Sequence, residues 1–200
     1  MFRVYGMAAS GNCHKVRMVL EALELPYEWT EIDTVHGQTR TSDFLAMNSN
    51  GKAPVLEIEP GLFLPESNAI LCYLADDTPL LPGDRLQRAR VLQWLFFEQY
   101  SHEPYIAVAR SLRRFHPDPA SQRALAESKS DGGYRALAVM EGHLAGEAFF
   151  AAGRYTVADI ALYAYTHVAG EGGFDLARFP AVTAWLARVE AQPRYVRMPE

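Results

Sequence analysis

Phe2-Arg3-Val4-Tyr5 alternates apolar and polar side chains, the period of a strand with one buried face. Residues 6 to 11 are mostly small or polar and predict a loop. From about Asn12 to Glu24 the apolar positions Val16, Val19, Leu20 and Leu23 recur at helical spacing, and Ser10 or Asn12 stands where a cap belongs. Leu25-Pro26 breaks that helix, and Tyr27 to Ile32 predicts a second strand. A helix of that length allows a parallel β-α-β crossover. Residues 34 to 41 form a polar loop, and 42 to 47 a short helix capped by Thr41 or Ser42. Two short apolar runs flank the turn dipeptide Pro60-Gly61. Ser67, Ile70, Leu71 and Leu74 then share one helix face. The predicted order, β-α-β-α-β-β-α, closes near Asp77.

Beyond it every strong pattern is helical. Residues 78 to 84 carry Pro79, Pro82 and Gly83, which exclude a continuous helix and predict a linker. Asp84 is a cap for a long helix bearing Leu86, Ala89, Trp94 and Phe97. Apolar residues from Val91 to Phe97 fill more than one face, so burial on two sides is expected, with Trp94 and Phe97 turned toward a neighbouring domain or subunit. Pro104 should kink the run, which continues through Ile106 to Leu112. Pro117-Asp118-Pro119 predicts a break, with Asp118 as cap and Pro119 opening a helix. Leu137, Met140 and Leu144 mark the next helix, whose start Gly132-Gly133 leaves open. Thr156 to Asp159 reads as a capping box before an apolar run, and Phe179-Pro180 with Trp185, Leu186 and Val189 gives the last helix. The division expected is 1–77, a linker at 78–84, and an all-helical part over 85–200.

The composition narrows the partners. A net charge of -5 and scattered arginines supply no basic block to neutralise phosphates, which argues against nucleic acid. No apolar run approaches membrane-spanning length, and the N-terminus lacks a signal-peptide pattern, so a cytoplasmic protein is expected. Two cysteines, Cys13 and Cys72, make no disulfide framework, and the six histidines form no metal-ligand pattern.

Candidate chemistry concentrates between Gly51 and Leu74. Pro54 begins a strand because it cannot donate to a ladder. If its peptide bond is cis, Val55 turns outward and offers its backbone to an extended peptide. Glu66-Ser67 opens a helix whose free N–H groups suit a carboxylate, while the Glu66 carboxylate suits an ammonium group. One amino-acid head group carries both charges.

The sequence Asn50-Gly51-Lys52-Ala53-Pro54-Val55-Leu56 followed by Glu66-Ser67-Asn68-Ala69-Ile70 resembles the glutathione site of the cytosolic glutathione transferases, of a bacterial-looking serine type. The Thr156–Asp159 capping box and the Phe179-Pro180 helix resemble the helical domain of the same family, so the likeness runs along nearly the whole chain. It implies an α/β thioredoxin-like N-terminal domain, then an all-α helical-bundle C-terminal domain, assembled as a homodimer. It further implies a cis Pro54, Val55 paired with the cysteinyl backbone of glutathione, and Glu66 and Ser67 on its γ-glutamyl head. Lys52 is the candidate for its glycyl carboxylate. Glutathione is the implied co-substrate, with no metal.

The reaction implied is attack of the glutathione thiolate on a small, apolar electrophile, as in detoxification. A free thiol ionises near pH 8.5, so lowering its pKa by two units requires roughly 2.7 kcal/mol in favour of the anion. A hydroxyl donor at a helix N-terminus can contribute on that scale. Ser10 is the first candidate, by its resemblance to the serine-type classes; Asn12 is the rival. Both have a structural alternative as helix caps. Cys13 at the same helix mouth raises a third possibility, a mixed disulfide with glutathione, against a plain buried cysteine. Tyr100, His102, Glu103 and Tyr105 surround the Pro104 kink and are the candidates for the electrophile pocket. A glutathione-dependent disulfide oxidoreductase, an isomerase, and a non-catalytic glutathione-binding module remain alternatives on this scaffold.

Overall fold

The computed structural model describes every residue except Pro117, Pro119 and Glu200. Strand β1 (Phe2–Gly6) leads into helix α1 (Gly11–Ala22) and strand β2 (Tyr27–Glu31). Helix α2 (Ser42–Met47) precedes β3 (Val55–Glu59), β4 (Leu62–Pro65) and α3 (Ser67–Ala75). The sheet order is β2-β1-β3-β4, with β1 parallel to β2 and the other pairs antiparallel. This mixed sheet is the thioredoxin-like arrangement expected from the sequence. Val4, Val16, Val19, Leu20, Val55, Leu56, Ile70 and Leu71 are wholly buried, so both α1 and α3 contribute to the core around the sheet.

Helix α1 ends earlier than the apolar spacing predicts. Glu24 takes a left-handed φ of 55°, and the Leu25 N–H reaches back to the Leu20 carbonyl at 2.9 Å. That six-to-one bond with the Glu24-to-Glu21 bond closes a Schellman motif, normally built on glycine. Thr41 caps α2 through the Phe44 N–H, as expected.

The second unit spans Asp77–Gln192. Its helices are α4 (Arg85–Phe97), α5 (Glu103–Arg114), α6 (Arg123–Glu127), α7 (Ser130–Leu144), α8 (Val157–Thr166) and α9 (Pro180–Glu190). Asp84 caps α4 through the Gln87 N–H at 2.9 Å. A π-helical turn over Glu98–His102 joins α4 to α5. Pro104 explains its position, because a proline ring has no N–H for the carbonyl four residues back and crowds it. All ten residues of α8 are buried, which makes it the axis of this unit. The Thr156–Asp159 capping box forms at its start.

Three expectations are corrected and one open boundary is settled. Trp94 and Phe97 do not project from α4 as a free face. Trp94 is 8% exposed and packs its ring on Phe97, His143 and Phe150, while Phe96 and Tyr100 are the exposed aromatics. The start of α7, left open by Gly132 and Gly133, falls before both, at Ser130. They lie inside it because the Tyr105 and Phe174 rings sit where a Cβ would stand, 2.1 and 2.2 Å away. The described residues from Pro193 onward group with the first unit rather than the helical one, and Arg194 pairs there with Glu24 at 2.6 Å. Pro119 itself lies outside the described residues, but a helix does not open there: residues 120 to 122 are turn, and the helix begins at Arg123. Asp118 accepts the Ser121 N–H at 3.3 Å.

Candidate active site

The loop after β1 is held from its own domain. The Ala8 N–H donates to Glu31 at 2.8 Å, and the Thr34 hydroxyl lies 2.9 Å from the Met7 sulfur. These contacts fix the approach to Ser10, which occupies the N-cap of α1 in extended geometry without capping it through its side chain. The Ser10 hydroxyl is hydrogen-bonded to the Cys13 sulfur. Cys13 is wholly buried, and burial pushes its thiol up to about 11, outweighing the Ser10 hydrogen bond. A cysteine in that state is a packed thiol near neutral pH, which weighs against mixed-disulfide chemistry at this position.

The next segment is shaped by Gly51, whose φ of 63° favours glycine and whose Cα lies close to the Arg40 guanidinium. Asn48 donates its amide to the Lys52 carbonyl at 2.7 Å, so the loop enters β3 in one conformation. Lys52 itself is exposed. The Ala53–Pro54 bond is cis. Val55 faces Tyr5 on β1 and Pro65 on β4. Pro65 has no N–H, so β4 has nothing to donate opposite Val55.

Glu66 precedes α3 with φ 73° and ψ 109°, a backbone region that non-glycine residues rarely adopt. Such a conformation costs on the order of 1–3 kcal/mol and persists where the surroundings impose it, often at a ligand site. The Glu66 carbonyl accepts the Ile70 N–H at 2.9 Å, while its side chain is exposed. Ser67, the first residue of α3, is buried and donates to Asn12 Oδ1 at 3.1 Å. Lys15 Nζ stands 3.5 Å from the same hydroxyl oxygen and is wholly buried.

The first unit therefore brings Asn12 and Ser67 together, although they are 55 positions apart. Sequence reasoning missed Lys15. Its one signal was a lysine four positions before Val19, on the apolar face of α1.

The helical candidates do not form one cluster. Tyr100 is 85% exposed. His102 is buried, with Nε2 2.9 Å from the Thr166 hydroxyl oxygen. Thr166 gives its own proton to the Leu162 carbonyl, so His102 is the donor in that pair. Glu103 accepts from Gln99, and the Tyr105 ring covers Gly132. The bend before Pro104 sends these side chains to different surroundings instead of gathering them on one concave face. Among the described residues, no group of three or more His, Cys, Asp or Glu is placed to hold a metal ion. No described helix is long and apolar enough to cross a membrane.

A mixed four-stranded sheet of order β2-β1-β3-β4, with α1 and α3 contributing to its core, defines a thioredoxin-like domain, followed in the chain by a helical unit. Residues 1–76 match the glutathione S-transferase N-terminal domain, and residues 94–193 match its C-terminal domain. The chain belongs to the glutathione S-transferase family. It is similar to a crystal structure of a glutathione S-transferase from Pseudomonas fluorescens Pf-5, at 52% identity and TM-score 0.96, covering 100% of this chain and 99% of that one. It is 30% identical to the disulfide-bond oxidoreductase YfcG of Escherichia coli strain K12, over 93% of this chain and 89% of that protein. The glutathione transferase URE2P6 of Phanerochaete chrysosporium, solved in complex with oxidized glutathione, is 28% identical with TM-score 0.85, covering 96% of this chain and 92% of that one.

Proposed function

We propose that this protein is a glutathione transferase that adds the glutathione thiolate to a small, apolar electrophile. The observation that carries the reading is the convergence in one unit of cis Pro54, Val55, the strained Glu66 and the Ser67–Asn12 pair. Val55 takes the cysteinyl backbone, Glu66 the ammonium of the γ-glutamyl head, and Ser67 with the first turn of α3 its carboxylate. Lys52 meets the glycyl carboxylate. Ser10 and Asn12 are the two donors to the sulfur. Of the helical candidates, Glu103 and Tyr105 serve the electrophile, His102 serves the fold through Thr166, and the exposed Phe96 and Tyr100 belong to a homodimer contact. The protein works in the cytoplasm, without a metal.

The test is steady-state conjugation of glutathione to a small aryl halide, with isothermal titration of glutathione alongside. Conjugation that saturates in glutathione supports the reading. Absent glutathione binding overturns it.

The likeness to YfcG favours one second reading, a glutathione-dependent disulfide oxidoreductase. Because Cys13 is buried as a thiol, that reaction would run between glutathione molecules and the substrate disulfide. Ready turnover of hydroxyethyl disulfide with little conjugation would select it.

A further inference from the structure

The helical unit holds a cavity of about 360 Å³, lined only by residues between Gln87 and Gly153 of that unit. None of them belongs to the candidate glutathione site. The volume lies at the small end of the range for small-molecule sites, about 300–1,000 Å³. Gln87, Arg90 and Trp94 of α4 line the cavity together because their spacing puts them on one helix face. His143 near the end of α7 and Phe150 in the loop beyond it also line it. Ring centroids lie 4.8 Å apart for Trp94 and His143, 4.6 Å for Trp94 and Phe150, and 5.4 Å for His143 and Phe150. The three rings make one aromatic wall. His143 is fixed in it by donating its Nε2–H to the Phe149 carbonyl at 3.2 Å, and Phe150 by its N–H bond to Asp159 at 3.0 Å.

Beside this wall stands an unsatisfied amide. Among the described residues nothing donates to the buried Oε1 of Gln87. A buried oxygen without a donor costs about 1–3 kcal/mol. Arg90 and Glu147 line the cavity as well and are exposed, so its rim carries both charges.

We infer that this cavity binds an adenine mononucleotide. The side-chain amide of glutamine matches the 6-amino group and N7 of adenine, accepting at one and donating at the other. The amino group supplies the proton that Gln87 Oε1 lacks. The base packs against the aromatic wall, a contact worth about 1–3 kcal/mol per base. Arg90 takes the phosphate, and Glu147 accepts from the ribose hydroxyls. A simple aromatic acid fits less well. Arg90 would hold its carboxylate, but Gln87 would receive no proton and Glu147 would face a like charge.

Isothermal titration of the full chain with AMP tests the site, with purine riboside 5′-monophosphate, adenosine and inorganic phosphate as companion probes. AMP should bind about tenfold more tightly than purine riboside 5′-monophosphate, which lacks the amino group. Gln87→Leu should erase that preference. Arg90→Gln should weaken AMP about fivefold and leave adenosine unchanged. Saturating glutathione should leave the AMP affinity unchanged. Thermal unfolding checks that both variants fold. Absence of heat with millimolar AMP overturns the proposal, and so does AMP that glutathione displaces. Equal affinity for the two nucleotides in the unaltered protein overturns it without use of any variant. A preference that survives Gln87→Leu also overturns it. Inorganic phosphate that binds as tightly as AMP would reduce the site to an anion contact and remove the base assignment.

Discussion

The carboxylate of Asp159 accepts the indole N–H of Trp185 at 3.0 Å, joining the start of α8 to the middle of α9 across 26 positions. The same carboxylate accepts the Phe150 and Thr156 N–H groups at 3.0 and 2.9 Å. Burial is the largest influence on it and raises its pKa from 3.8 to about 6, against the lowering effect of those donors. A carboxyl that holds its proton more tightly when folded adds stability below its unfolded pKa. That contribution is lost as pH rises from about 4 through about 6. Asn at this position cannot titrate. The stability gap between the unaltered protein and Asp159→Asn should narrow by roughly 2 kcal/mol between pH 4 and pH 7. Denaturant unfolding at both pH values measures it, and a constant gap would mean that Asp159 titrates as in the unfolded chain.

Glu66→Ala and Ser67→Ala should each weaken glutathione binding about tenfold or more, since removing a hydrogen-bond partner of a charged group costs about 1.5–3 kcal/mol. Isothermal titration decides. Unchanged affinity in both variants would remove the head-group assignment.

Ser10→Ala and Asn12→Ala separate the two sulfur donors. Loss of the donor that matters should raise the bound thiol pKa by about a unit or more and slow conjugation at neutral pH roughly tenfold to a hundredfold. Ser10 is the first candidate, although its hydroxyl already meets the Cys13 sulfur. A shift in Asn12→Ala alone would transfer the role.

Two glycines of α7 should respond in opposite directions to alanine. At Gly132 the added Cβ would stand 2.1 Å from the Tyr105 ring, and overpacking of this kind costs about 1–3 kcal/mol. At Gly142 nothing lies within 4 Å, so alanine should stabilise by about 0.5–1 kcal/mol through helix propensity. Thermal unfolding of the two variants checks both signs.

The exposed rings of Phe96 and Tyr100, 70% and 85% accessible, are the proposed dimer contact. Light scattering at micromolar concentration should give twice the 22.4 kDa chain mass, and Phe96→Glu should reduce it. A monomer in the unaltered protein would refute the contact.

Local pattern determined much of this molecule. Period, turn residues and capping residues predicted the strand at Phe2, the order of the first seven elements, the Asp84 cap and the box at Thr156, because each depends on residues a few positions apart. The Pro54-Val55 and Glu66-Ser67 pairs were legible for the same reason: each is a short run at a strand or helix start. Tertiary structure decided what distant segments impose on one another. Gly132 and Gly133 continue a helix because rings from Tyr105 and Phe174 fill the space a side chain would need, and no local propensity encodes that. Trp94 faces inward because His143 and Phe150 receive it. Tyr100, His102, Glu103 and Tyr105 are neighbours in sequence but not in surroundings, since a π-helical turn rotates successive side chains differently from an α-helix. Lys15 carried no clear signal in the sequence; the packing of α3 against α1 buries it beside Ser67. Periodicity reports which face of an element is apolar; only packing reports which polar atom that face encloses.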